Sequence, residues 1–68
     1  MYKQVVLMKK NVFQTVWIPE NFAHKGKFLK IKDEDGWEVV SVSQIRLSQE
    51  YIETHERDYK YQRQVSDI

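Results

Sequence analysis

Apolar and polar positions alternate along much of the first two-thirds of the chain, cut into short runs by turn-forming residues. Tyr2 to Met8 alternates only in part and then becomes a β-branched, apolar run, which predicts a first strand. Lys9-Lys10-Asn11 reads as a turn. Val12 to Ile18 predicts a second strand, with Val12, Gln14, Val16 and Ile18 on one face and Phe13, Thr15 and Trp17 on the other. Both faces are largely apolar, a pattern that suits a small closed sheet or a partnered strand. Pro19 has no N–H for a ladder and ends the strand. Glu20 to Lys25 fits a single helical turn, with Phe22 and Ala23 folded under the sheet, and Gly26 permits a sharp re-entry.

Gly26 to Val42 predicts a hairpin, because two strand-like runs flank an Asp35-Gly36 step. Two registers compete. A two-residue Asp35-Gly36 turn, the preferred one, sets Ile31 opposite Val40 and Leu29 opposite Val42, leaving Phe28, Lys30, Lys32, Trp37 and Val39 on the other face. A three-residue Glu34-Asp35-Gly36 loop closed by a glycine bulge sets Leu29 and Ile31 on one face with Trp37 and Val39. The choice decides whether Trp37 or Val40 joins Ile31 in the core, since a slip of one residue exchanges the faces of a strand.

Ser43 to Leu47 extends the last strand or turns away from it. Ser48 then supplies an N-cap oxygen, and Glu50 places a carboxylate in the first turn of a helix predicted to reach about Gln64. Glu53 with Arg57 and Glu56 with Lys60 are acid-before-base pairs at i,i+4, and Tyr51, Ile52, His55 and Tyr59 form an apolar stripe. The pattern therefore predicts one small domain over residues 1–64 and a frayed tail over 65–68. Its class is mainly β plus a C-terminal α-helix (α+β), with three to five strands in a small antiparallel sheet or an SH3-like barrel.

Composition narrows the setting. A chain of 68 residues buries only roughly 60% of its unfolded surface, and with no cysteine there is neither a disulfide nor a thiolate site to staple it. The absence of cysteine favours a reducing, cytoplasmic environment. The longest apolar run, Val5 to Met8, is far short of the roughly 20 residues of a membrane-spanning helix, so no membrane contact is expected. The net charge of +1 hides an asymmetry: seven lysines and one acid up to Lys32 give +6, while nine acids against one lysine and three arginines from Asp33 onward give −5. Folding either interleaves the two halves or leaves faces able to attract a charged partner.

Catalysis has little to work with. The acids fall in a turn and along a predicted helix face, no glycine-rich loop is present to cradle phosphates, and the Asp33-Glu34-Asp35 set lacks the ligand spacing of a calcium loop. His24 and His55 are far apart with no other soft ligand, so neither a metal nor a cofactor is expected. Binding has more. Lys27, Lys30 and Lys32 alternate with Phe28 beside Trp37, and cations with an aromatic platform are what a single-stranded nucleic-acid site uses. Nine aromatics, Trp17 and Trp37 among them, exceed what so small a core needs, and exposed aromatics mark protein interfaces. A homo-oligomer would also relieve the thin stability of an unstapled chain.

Three stretches carry a resemblance. Trp17-Ile18-Pro19-Glu20-x-Phe22-Ala23-x-x-Gly26-Lys27, then Asp35-Gly36-Trp37-x-Val39-Val40 with Val42, then Tyr59-Lys60-x-x-Arg63 with Ser66-Asp67-Ile68, resemble small uncharacterised proteins encoded by tailed bacteriophages, over about residues 14 to 68. The resemblance carries no activity. It implies a phage accessory protein in the cytoplasm of an infected bacterial host, a setting for inhibitors of host enzymes, antagonists of antiviral defence and helpers of replication. Tyr59, Lys60, Arg63, Ser66 and Asp67 match on a polar stretch that folding alone need not specify, which makes them candidates for partner contact. The expectation is a non-enzymatic protein, homo-oligomeric, that binds a host or phage protein. Single-stranded nucleic acid and sequestration of a nucleotide-like ligand are the alternatives.

Overall fold

A computed structural model describes residues 1–68 and contains five strands, β1 (Tyr2–Lys9), β2 (Val12–Pro19), β3 (Phe28–Ile31), β4 (Glu34–Leu47) and β5 (Val65–Asp67), with one short helix, α1 (Gln49–Thr54). The strands form one antiparallel sheet in the order β2-β1-β4-β3-β5. The first hairpin follows from its turn chemistry. Lys10 and Asn11 sit at φ 50° and 64°, the paired positive values of a type I′ turn, and β1 and β2 run in unbroken register from Tyr2↔Pro19 to Lys9↔Val12. Glu20–Phe22 makes the expected single turn, as 3₁₀-helix, and Ala23 is buried beyond it.

The second hairpin turns at neither predicted place. Its tight turn is Lys32-Asp33, between Ile31 and Glu34, with Lys32 at φ 56°. Gly36, at φ 88°, instead sits in a bulge, because Leu29 pairs with Trp37 while Ile31 pairs with Glu34. The reason is burial. This arrangement puts Leu29, Ile31, Trp37 and Val39 all into the core, the facing expected of the three-residue alternative, whereas the preferred Asp35-Gly36 register would have sent the largest of them to solvent. Val40 is left half-buried on the opposite face.

The main core gathers Val5 and Leu7 from β1, Val16 and Ile18 from β2, and those four residues of the hairpin, over Ala23. A second cluster lies on the other face of β1 and β2, where Tyr2 and Trp17 pack on Ile52 of α1 with Leu47, Tyr59 and Tyr61 around them. Both faces of this end of the sheet are therefore covered, as the two apolar faces of β2 imply.

The C-terminal third departs most from expectation. Ser48 caps α1 as predicted, its Oγ accepting from the Tyr51 N–H at 3.1 Å, but the helix ends at Thr54 and does not reach Gln64. Tyr59 and Tyr61 explain the early stop. Each packs edge-on against an aromatic of the sheet, Tyr59 on Trp17 at 5.6 Å and Tyr61 on Tyr2 at 6.1 Å between ring centroids. Two residues apart, both reach the same surface only from extended backbone. The expected Glu53–Arg57 pair is replaced by Glu53–Arg63 at 3.1 Å. Residues 65–67, expected to fray, form β5 on the edge of β3. The sheet is open: an isolated bridge between Trp17 and Tyr61 links β2 to the segment that leads into β5, and no continuous ladder closes an SH3-like barrel.

Candidate functional site

Residues 60–64 are strung between the two ends of the sheet by backbone hydrogen bonds. The Trp17 N–H donates to the Lys60 carbonyl and the Gln62 N–H to the Trp17 carbonyl, each at 2.9 Å, and the Lys32 N–H donates to the Gln64 carbonyl at 2.8 Å. With Tyr59 and Tyr61 turned toward the second cluster, the polar side chains between them are left outside. The outcome is a groove of about 600 Å³ along this segment, into which Lys32, Arg57, Lys60 and Arg63 project beside Glu56, Gln62 and Gln64.

Four cations meet one acid in that lining. Arg63 is engaged by Glu53, and the Lys60 ammonium donates to the neutral Gln14 Oε1 at 2.9 Å and has no acidic partner. Lys32 and Arg57 are exposed and have no ion-pair partner. Hydrogen bonding to Tyr51, with desolvation second, raises the Tyr59 phenol pKa, so its ring stays neutral beside the cations. The groove can hold an anionic group by charge and orient it with amides and phenols, and it presents no nucleophile paired with a base.

The residues singled out in the sequence divide into three groups. Lys32, Tyr59, Lys60 and Arg63 line this groove together, and Ser66 lines an adjoining depression with Lys32 and Arg63. Lys30 is exposed on β3 opposite Ser66, while Lys27 and Asp67 form an ion pair with each other at 2.9 Å. Trp17 and Trp37, expected at a binding surface, are both 7% exposed and belong to the two clusters. A small sheet covered on both faces encloses more aromatic surface than one face would.

Arg57, Gln62 and Gln64 were missed by sequence reasoning. Their signal was the alternation of Tyr59-Lys60-Tyr61-Gln62, which has strand period and was overridden by the i,i+4 charge pairs. The histidines stay apart. His55 stacks on Tyr51 at 4.2 Å with Nδ1 2.9 Å from the Tyr51 carbonyl, and His24 is exposed on a loop.

The charge asymmetry of the sequence is partly folded together, since Lys9 pairs with Glu34 and Lys27 with Asp67 across the two halves. Of the cations left without an ion pair, Lys32, Arg57 and Lys60 line the groove, while Lys3, Lys10, Lys25 and Lys30 lie outside it. No helix is long and apolar enough to cross a membrane. No protein-family model, curated protein or solved structure matches the chain.

Proposed function

We propose that this chain is a non-enzymatic binding protein that docks a protein partner in the groove along residues 57–64, with an acidic segment of the partner against Lys32, Arg57 and Lys60. One observation carries the reading: charged side chains distant in sequence converge on a surface whose backbone is fixed at both ends by hydrogen bonds. Such preorganisation spares the ordering cost that flexible lysines otherwise impose on a complex. The resemblance to tailed-phage proteins supplies the setting, an infected bacterial cytoplasm in which the partner is a host or phage factor and its inhibition the outcome. The SH3-like barrel belongs to the same proposal, with the Trp17–Tyr61 bridge as the point where the two ends of the sheet meet.

Single-stranded nucleic acid is the second reading, favoured by the half-buried Tyr59 and Tyr61 beside the same cations. Its original surface is weakened by the burial of Trp37 and the pairing of Lys27 with Asp67. A nucleotide-like ligand fits less well, because small-molecule sites are mostly apolar and this lining is mostly charged. Capture from bacterial lysate by the wild type and by Lys32→Glu/Arg57→Glu, beside a titration of each with single-stranded DNA, separates the readings. The proposal expects one captured protein that the double variant loses. Capture unchanged in the double variant, or DNA binding that the variant abolishes with no protein captured, would overturn it.

A further inference from the structure

One edge of the segment that carries the groove is unused. In extended backbone the N–H and C=O of a residue aim to one side and those of its neighbours to the other. Trp17 takes up the Lys60 carbonyl and the Gln62 N–H, so the backbone groups of Tyr59, Tyr61 and Arg63 aim away from β2. Two contacts bound this outer edge. The Tyr59 N–H donates to the His55 carbonyl at 3.2 Å, and the Arg63 carbonyl accepts from the Val65 N–H at 3.0 Å. Between them the Tyr59 carbonyl, the Tyr61 N–H and carbonyl, and the Arg63 N–H have no backbone partner. All three residues line the groove, and the rings of both tyrosines are turned into the second cluster, which leaves their main chain to face it.

Charge surrounds this free stretch of backbone. Arg57 lines the groove ahead of Tyr59, and Lys32 lines it beyond Arg63, where the Lys32 N–H holds the Gln64 carbonyl. Against a lining of four cations and one acid, a basic strand is repelled and a neutral one leaves the cations unanswered. An acidic strand satisfies both the main chain and the side chains.

We propose that the partner's acidic segment binds here as an added β-strand, extended beside residues 59–63, with its acids at alternate positions. This mode rests on the groove being the docking surface and adds the shape and residue pattern of what docks. The unpaired groups of Tyr59, Tyr61 and Arg63 hold the strand's main chain, which gives affinity without regard to sequence. Side chains of an added strand alternate between two faces. The residue opposite Tyr61 lies on the side of the second cluster, and those before and after it fall opposite Lys60 and Gln62, on the other side. Acids two positions apart therefore share the face of Lys60, whereas neighbouring acids put one of each pair on the face of the tyrosines.

Titration with two capped peptides of the same composition and charge tests it. In Glu-Thr-Glu-Thr-Glu-Thr-Glu-Thr the acids stand two apart, and in Glu-Glu-Thr-Thr-Glu-Glu-Thr-Thr no two acids do. The wild type should bind the first roughly tenfold more tightly than the second. Saturation with the alternating peptide should slow exchange of the Tyr61 and Arg63 amides and leave the Gln62 amide, already held by Trp17, as it was. Lys32→Glu/Arg57→Glu, folded as wild type by circular dichroism, should lose both peptides. Equal affinity for the two peptides, or Tyr61 and Arg63 amides indifferent to saturation, would overturn the added strand and leave the groove standing as a docking surface. Both peptides bound by the double variant as by the wild type, or neither bound by the wild type, would overturn the groove together with the strand.

Discussion

Ile52→Ala is the substitution that asks most of this fold. Ile52 is the one buried residue of α1 and is fully enclosed, between Tyr2 and Trp17. A six-residue helix is far below the roughly 12–15 residues at which an isolated helix holds together in water, so its docking through Ile52 keeps it folded. Truncation removes three buried carbons. At about 0.8 kcal/mol each they account for about 2.4 kcal/mol, and the cavity left under two rigid aromatic rings brings the loss to about 3 kcal/mol. A domain of this length has about 3–10 kcal/mol in total, so the variant should unfold some 12–24 °C lower, or already be partly unfolded at room temperature.

Urea denaturation followed by circular dichroism and by tryptophan emission reads this loss, and Ile45→Ala supplies the comparison. Ile45 is 62% exposed on β4, and its truncation should stay within about 0.5 kcal/mol. The two isoleucines differ in burial and not in chemistry. A cost below about 1 kcal/mol at Ile52, or equal costs at the two sites, would refute the claim that the second cluster fixes the C-terminal third.

Ser48→Ala deletes the oxygen that caps α1 and should lower stability by about 1 kcal/mol in urea denaturation, with Ser48→Asp close to wild type. Gly36→Ala should cost about 1–2 kcal/mol in the same assay through its φ of 88° alone, since the added methyl would meet nothing nearer than the Lys9 Cε at 3.8 Å. The Arg46 guanidinium, hydrogen-bonded to the Glu20 carboxylate at 2.8 Å, holds the Glu20 pKa below the usual glutamate value. A carboxylate lowered in the folded state contributes stability above its unfolded pKa and loses it as pH falls through the lowered one. NMR titration should therefore place Glu20 below an unpaired glutamate, and Glu20→Gln should flatten that part of the acid limb of the stability curve.

The strands and the first hairpin were legible because their signals are local. Val12 to Ile18 has apolar residues on both faces and is buried on both over Val16 to Ile18, Lys10-Asn11 falls where an αL-tolerant residue must, and Ser48 announces its cap. Asp35-Gly36 misled for a physical reason: a residue at positive φ suits a hairpin turn and a bulge equally, and the packing of Leu29, Ile31, Trp37 and Val39 chose between them. The same non-local choice undid the long helix. Contacts of Tyr59 with Trp17 and of Tyr61 with Tyr2 span more than 40 positions and outweighed charge pairs worth a few tenths of a kcal/mol. The groove was legible to the extent that Lys32, Tyr59, Lys60 and Arg63 had each been marked, but only the turn at Lys32-Asp33 and the extended run from Tyr59 bring them together.

That run gives the groove and the second cluster a common support. Tyr59 and Tyr61 face the sheet while Lys60 and Gln62 face the groove, and Arg63 is tied to Glu53 of α1. Loosening the cluster must therefore disperse the cations, although Ile52 lies outside the groove lining. Partner capture by Ile52→Ala should fall even at temperatures where circular dichroism finds the sheet intact. Lys32→Glu should do the reverse, losing capture while its unfolding midpoint stays within about 0.5 kcal/mol of wild type, because an exposed side chain without an ion-pair partner carries little of the fold. If Ile52→Ala bound as well as wild type with its sheet intact, the groove would not depend on the cluster behind it, and the preorganisation on which the binding proposal rests would be wrong.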